Sequence, residues 1–286
     1  MATRSARASR PGRRALRRFM RHPGGMLGAI MLLFLMLVAL LAPVIAPYNP
    51  LGVDPINALL PPSGEHWMGT DTLGRDQLSR VIYGARISLR LGIVSVGIAM
   101  LLGIPLGIVA GYLGGRVDGV IMRLIDILLA FPSLVLALIA VFALGPGLTN
   151  AMIAVGISSI PAYARITRAE VLSAKENLYV HSAQALGAPA GAVMFRHILP
   201  NIIAPNIVMG ALGTGSAILA GAALSFLGLG AQAPLPEWGL MLSQGRGFMS
   251  MAWWLTVFPG LGIMATVMSM NLMGDGLRDV LDPRLR

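Results

Sequence analysis

The residue types that usually carry chemistry are scarce in this chain. Its 286 residues include four histidines (His22, His66, His181 and His197), a single lysine (Lys175) and no cysteine. Without cysteine there are no disulfides, thiolate metal sites or cysteine nucleophiles. The histidines lie in loops or flanks with no His-Glu-x-x-His zinc spacing, and no Gly-x-Ser-x-Gly nucleophile turn occurs. An ATP-cradling loop needs Gly-x-x-x-x-Gly-Lys-Ser/Thr, whereas Lys175 follows Leu172-Ser173-Ala174. The chain is therefore expected to be non-catalytic, to hold no cofactor or metal, and to draw on a partner's free energy if it moves a solute. A gradient-driven carrier needs ionisable groups in its spans to bind the coupling ion. Asp126 is the one acid available there, and an ion pair or interfacial anchor with the adjacent Arg123 is its expected role.

Those residues must be positioned by helices in lipid. Apolar residues make up 56% of the chain and charged residues 12%, the latter about half the share in a soluble domain. A charge at the centre of a spanning helix costs about 2.5–3.5 kcal/mol, and a span needs about 20 apolar residues, so charge-free intervals mark the spans. They lie between Arg21 and Asp54, Arg90 and Arg116, Asp126 and Arg165, Arg196 and Glu237, and Arg246 and Asp275, with Gly145-Pro146-Gly147 dividing the third. Six transmembrane helices are predicted, at 25–46, 89–113, 121–144, 149–168, 201–226 and 252–274, giving an all-α integral membrane fold.

Orientation follows from charge. Arg4, Arg7, Arg10, Arg13, Arg14, Arg17, Arg18 and Arg21 supply +8 of the net +10. Abutting a long apolar run, they read as a cytoplasmic flank facing anionic membrane lipid rather than as a nucleic-acid arm. The run from Gly24 to Ala46 is too long for a signal h-region and lacks a clean small-x-small site, so an uncleaved first span is expected. An even number of spans places both termini in the cytoplasm. The loop 169–200 then lies on that side, and Arg165 to Arg196 carries +2, in keeping with it. The outer loop 47–88 holds Arg75, Arg80 and Arg86 against Asp54, Glu65, Asp71 and Asp76.

Two local patterns stand out. Ser95, Ala99, Gly103, Gly107, Gly111 and Gly115 recur at four-residue spacing, a ridge of small side chains that lets another helix approach closely, with a pore lining as the functional alternative. In the loop 169–200, Leu178 to Leu186 can form two helical turns, too short to span, with Gly187 as a permissive stop. Such a helix either lies in a partner's groove or rests on the membrane surface.

The stretch Tyr179-Val180-His181-Ser182-Ala183-Gln184-Ala185-Leu186-Gly187, followed by His197-Ile198-Leu199-Pro200-Asn201, resembles the cytoplasmic loop of permease subunits of ATP-binding-cassette importers. That loop reads Glu-Ala-Ala-x-x-x-Gly with Ile-x-Leu-Pro beyond it. Ala183, Gly187, Leu199 and Pro200 match, while His181 replaces Glu, Ser182 the first Ala and His197 the Ile. The His-x-Leu-Pro-Asn form is similar to that of the peptide, glutathione and nickel branch. Gly69-Thr70-Asp71, Leu73-Gly74-Arg75-Asp76, Tyr83-Gly84-Ala85-Arg86, Leu224 to Gly230, Pro236-Glu237-Trp238-Gly239, Asn271 to Asp279 and Leu281-Asp282-Pro283 resemble the second, "C"-type permease of dipeptide and oligopeptide importers.

The resemblance implies a binding-protein-dependent importer permease fold. Residues 1–22 would be an Arg-rich cytoplasmic tail, 23–48 the first transmembrane helix, and 49–286 a five-helix core with a coupling loop at 169–200. The implied partners are a second permease subunit, two ATP-binding-cassette ATPase subunits and an extracytoplasmic substrate-binding protein, in a bacterial inner membrane. The ATPases would act on Tyr179, His181, Ser182, Ala183, Gly187, His197, Leu199 and Pro200. Span five would line the translocation path, where Asn206, Gly210, Gly213, Thr214 and Ala217 share a face; that face suits a polar solute or a packed helix equally. The loop 228–251, with Pro234, Pro236 and Trp238, would meet the binding protein, and Trp253 and Trp254 fit an interfacial belt. Peptides are the implied cargo, with a nickel chelate as the alternative within the family and a self-contained channel or gradient-driven carrier as the alternative outside it.

Overall fold

The computed structural model describes residues 18–281. Most of the Arg-rich tail, residues 1–17, and the Asp282-Pro283 end of the C-terminal motif lie outside the described residues. Among those described, the chain is helical and its one β-type pairing is an isolated bridge from Thr70 to Asp76. The principal helices are α1 (Pro23–Ile45), α2 (Gln77–Leu113), α3 (Gly115–Leu129), α4 (Ser133–Leu144), α5 (Leu148–Lys175), α6 (Leu178–Ala185), α7 (Leu199–Phe226), α8 (Trp238–Gly245) and α9 (Trp254–Leu281).

The small-residue ridge on α2 is its contact with α5. A Cβ on Gly103 would meet Tyr163 Cβ at 2.7 Å and Ile160 O at 2.9 Å; on Gly107, Ala164 O at 2.5 Å; on Gly111, Val171 Cβ at 2.9 Å. Ser95 Oγ donates to Met152 O at 2.9 Å at the start of the seam. Residue numbers rise together along both helices, so α2 and α5 run parallel. Gly115 is not part of the ridge, because α2 ends at Leu113 and Gly114 takes a positive φ of 66°. Elsewhere directions alternate: α7 is antiparallel to α2, with Gly92 against Thr214 and Ile218 and Gly210 against Met100. Likewise α9 is antiparallel to α7 through Leu212 and Gly274, and α1 is antiparallel to α9, with Gly25 against Gly276 and Gly28 against Met273. The described ends of the chain therefore meet, and His22 Nε2 lies 3.0 Å from Asp279 Oδ2.

Helix α1 buries only Gly25, Gly28, Leu32, Ala39 and Ala42 and leaves Phe34, Leu40 and Val44 exposed. It is the peripheral helix its bulky composition predicts. Its start is capped by His22, whose Nδ1 accepts the Gly25 N–H at 2.9 Å.

Two of the expected spans differ in their helical limits. Helix α2 begins at Gln77 rather than residue 89, because Asp76 Oδ2 caps it by accepting the Ser79 N–H at 2.7 Å. The predicted span 121–144 is two helices, α3 and α4, meeting at 93°. Pro132 supplies the cause, since it has no N–H to continue the ladder and pushes Phe131 out of helical geometry. Among the described residues, four helices are long and apolar enough to cross a membrane, or five with the bent pair as one crossing. Helix α5, expected to span at 149–168, has the length but is not among these helices on composition alone, since it carries Asn150, Ser158, Ser159, Arg165 and Arg168. Its surroundings are protein: α2 covers one side, α4 and α7 others.

Four charged side chains of the loop 47–88 pair within it, although Arg80 Nε itself makes no hydrogen bond. Arg75 Nε donates to Asp71 Oδ2 at 2.7 Å, His66 Nδ1 lies 2.9 Å from Asp76 Oδ1, and Arg80 Nε is 3.4 Å from Asp71. All but His66 are buried. Trp238 is 1% exposed, donating its indole N–H to Val81 O at 3.0 Å and packing on Gly84 and Gly262. A tryptophan so enclosed pins α8 between α2 and α9 and has no surface for a partner, which corrects its expected contact with a binding protein. Trp254 is also buried and donates to Thr70 O at 3.1 Å, leaving Trp253 as the exposed member of that pair.

Candidate functional site

The predicted loop helix is present as α6. Val180 and Ala183 turn inward against Ile104, Ile108, Val171, Ala174, Val193 and Ile198. These come from α2, α5 and the approach to α7, so α6 is rooted in three elements at once. Its end is a Schellman motif. The Gly187 N–H donates to Gln184 O at 2.9 Å and the Ala188 N–H to Ala183 O at 3.1 Å, with Gly187 at φ 80°. A Cβ at Gly187 would meet nothing within 4 Å, so glycine is required there for its backbone angle and not for space. The start is fixed by Asn177, which donates through Nδ2 to Ala174 O at 3.1 Å and so closes the end of α5.

The outward side of α6 is mixed, with large apolar groups at its two ends. Leu178 is 84% exposed and Leu186 88% exposed, with Tyr179 between them; His181 and Ser182 are exposed as well. Among the expected coupling residues, Ala183 therefore anchors the helix, whereas Tyr179, His181 and Ser182 belong to its free surface. His197, Leu199 and Pro200 stand apart, on the segment that enters α7. There Val193–Ile198 is a π-helical stretch, and Asn201 Nδ2 donates to His197 O at 2.6 Å. Pro200 accounts for the wide turn, because its ring would clash with the Arg196 carbonyl in an ordinary α-helix.

The face of α7 carrying Asn206, Gly210, Gly213, Thr214 and Ala217 is packed inside this chain. Asn206 Oδ1 accepts from Thr167 Oγ1 at 2.8 Å, and Tyr163, whose hydroxyl donates to Met209 O at 3.3 Å, lies against Gly213. Gly210 faces Met100 and Thr214 faces Gly92, which places both against α2. Asn206, Thr214 and Ala217 are all buried.

Two polar contacts escaped sequence reasoning. Arg168 holds Asp118 with two bonds, Nε to Oδ1 at 2.5 Å and Nη2 to Oδ2 at 2.6 Å. Asp126 pairs with Arg165 at 2.5 Å and not with Arg123. The cause is the lean of α3 onto α5 through Ile125, Ile160 and Ala164, which turns the neighbouring Asp126 toward α5. Nothing in the spacing of residues so far apart announces either pair. Among the described residues, no cluster of three or more His, Cys, Asp or Glu could hold a metal.

Residues 103–286 match the family described as binding-protein-dependent transport system inner membrane component. Residues 10–62 match the N-terminal TM domain of oligopeptide transport permease C. The chain is 46% identical over 276 residues to the dipeptide transport system permease protein DppC of Alkalihalophilus pseudofirmus, covering 96% of this chain and 91% of that one. It is 48% identical over 274 residues to the di/tripeptide transport system permease protein DppC of Pseudomonas aeruginosa, covering 94% and 90%. It is 44% identical over 279 residues to the glutathione transport system permease protein GsiD of Pectobacterium atrosepticum, covering 96% and 92%.

Proposed function

The chain belongs to the binding-protein-dependent transport system inner membrane components, and from that we propose that it is one of two permease subunits of an ATP-driven importer of short peptides. The carrying observation is α6, an eight-residue helix rooted by Val180 and Ala183, with Leu178 exposed at its first residue and Leu186 exposed at its C-cap. A pair of leucines that far exposed on a short, well-anchored helix suits insertion into an apolar groove. The occupant of the other side is an ATPase subunit, and its ATP-driven closure displaces α6.

The alternating directions of α1, α2, α3–α4, α5, α7 and α9 support six crossings with both termini on the α6 side, which the Arg-rich tail assigns to the cytoplasm. A second permease, a second ATPase and a binding protein complete the assembly. The cargo class is drawn from relatives named for dipeptide, di/tripeptide and glutathione transport. Asn206, Gly210, Gly213, Thr214 and Ala217 act on the path by fixing the rotation of α7 against α2 and α5.

The test is purification from the native membrane with and without Leu186→Glu. A charge on the projecting side should strip the ATPases from the complex while the chain still inserts and elutes as a folded species. ATPases retained by an inserted Leu186→Glu chain would sink the docking assignment, and leave α6 as a helix resting on lipid.

A further inference from the structure

The parallel run of α2 and α5 creates an electrostatic problem at the α6 end. Each helix carries roughly half a negative charge at its C-terminus, and here two such ends lie side by side. The last carbonyls of α2 also lack intrahelical partners. The one lysine of the protein sits at that point. Lys175, the final residue of α5, donates from Nζ to Tyr112 O at 2.8 Å, and its ammonium lies 5.6 Å from the Tyr112 ring centroid. Tyr112 is the penultimate residue of α2, and its hydroxyl in turn accepts from Gln184 Nε2 on α6 at 3.3 Å. Gln184 is the residue whose carbonyl takes the Gly187 N–H in the Schellman turn.

We propose that Lys175, Tyr112 and Gln184 form a clasp that makes α2, α5 and α6 move as one body, so that displacement of α6 reaches both long helices. This rests on the docking assignment above, and goes beyond it by naming the residues that carry the stroke inward. None of the three touches cargo or nucleotide; they are positioning residues. The apolar root of α6 resists separation but permits sliding, because dispersion contacts are non-directional. The charge-assisted bond from Lys175 and the bond to the Tyr112 hydroxyl fix direction. Lys175 also neutralises two helix ends at once, so its removal loosens α2 from α5 as well as from α6.

The experiment uses the whole importer in proteoliposomes, with ATP hydrolysis and uptake of a labelled dialanine peptide and of glutathione measured together. Lys175→Met keeps the stem and removes the donor. ATP consumed per solute delivered should rise roughly ten- to a hundredfold, the range corresponding to one net hydrogen bond from a charged group, with the ATPases still bound. Lys175→Arg should restore the wild-type ratio. Tyr112→Phe and Gln184→Leu should each raise the ratio less, and the double variant should match the single ones, since both remove the same bond. These two exposed-side changes carry the test if Lys175→Met fails to insert. A wild-type ratio in an assembled Lys175→Met complex overturns the clasp, as does additivity of Tyr112→Phe with Gln184→Leu. Loss of ATPase binding in Leu186→Glu alongside a wild-type ratio in Lys175→Met would reject the clasp and retain docking. ATPases retained by Leu186→Glu would reject docking itself.

Discussion

Gly107 lies where α2 and α5 come closest, and a Cβ there would stand 2.5 Å from Ala164 O and 2.7 Å from Thr167 Cβ. Backbone cannot yield as a flexible side chain can, so Gly107→Ala should separate the two helices and destabilise by about 1–3 kcal/mol, the usual range for overpacking. Gly97, on the same helix, faces open space, and a Cβ there would meet nothing within 4 Å, so Gly97→Ala is the matched control. Thermal unfolding of the detergent-solubilised protein should show a lower midpoint for Gly107→Ala and an unchanged or higher one for Gly97→Ala. Equal midpoints would mean that the seam is looser than the distances indicate. This contact was legible in the sequence because an i+4 period of small residues lines one ridge of a helix, along which a neighbour can come close. The partner of Asp126 was not. Arg123 is close in sequence, whereas Arg165 becomes a neighbour only once Ile125 has docked on Ile160 and Ala164.

At the scale of elements, helix starts and stops were legible where a residue type forces them. Gly145-Pro146-Gly147 separates α4 from α5, with Gly145 at φ 87° and Gly147 at φ 145°, and Gly187 ends α6. Charge-free intervals, by contrast, report lipid depth and not helix length, so they missed the three extra turns of α2 and the extension of α9 past residue 274. Helix α8 was also missed, because its N-cap is Glu237, a residue type outside the usual Ser, Thr, Asp and Asn. Its carboxylate accepts the Gly239 and Leu240 N–H groups at 2.9 Å each, and Ser88 Oγ lies at 3.4 Å. Burial pushes the Glu237 carboxyl up from its usual 4.5, and the two backbone bonds pull it only part of the way back. Between 4.5 and that raised value, the folded protein binds more protons than the unfolded chain, so stability falls as pH rises through the window. Glu237→Gln has no proton to exchange and should flatten the dependence. Unfolding midpoints compared at about pH 5 and about pH 7 should therefore drop for the wild type relative to Glu237→Gln; a parallel drop in both would assign the pH dependence to other groups.

For the molecule as a whole, the parallel pairing of α2 with α5 constrains the path of the bent pair α3–α4. Two parallel neighbours joined by one connection require that connection to travel back along their length. Helix α2 ends beside Lys175 at the α6 end, whereas the start of α5 lies at the opposite end, where Met152 meets Ser95 and the Gly147 N–H donates to Leu229 O at 3.1 Å. The interval from Ser95 to Leu113 alone is roughly 27 Å at 1.5 Å per residue, close to the roughly 30 Å of a hydrocarbon core. Helices α3 and α4 must cover that distance despite their 93° bend, and a single crossing by the bent pair is the arrangement that the proposed topology requires. The absence of native cysteine makes this directly measurable with single substitutions at exposed positions. Arg116→Cys and Ser182→Cys should react with a membrane-impermeant maleimide only in inverted vesicles, and Glu65→Cys and Thr149→Cys only in right-side-out ones. Labelling of Thr149→Cys from the same side as Arg116→Cys would turn α3–α4 into a re-entrant segment, put α5 in the membrane with the wrong polarity, and undo the placement of both termini beside α6.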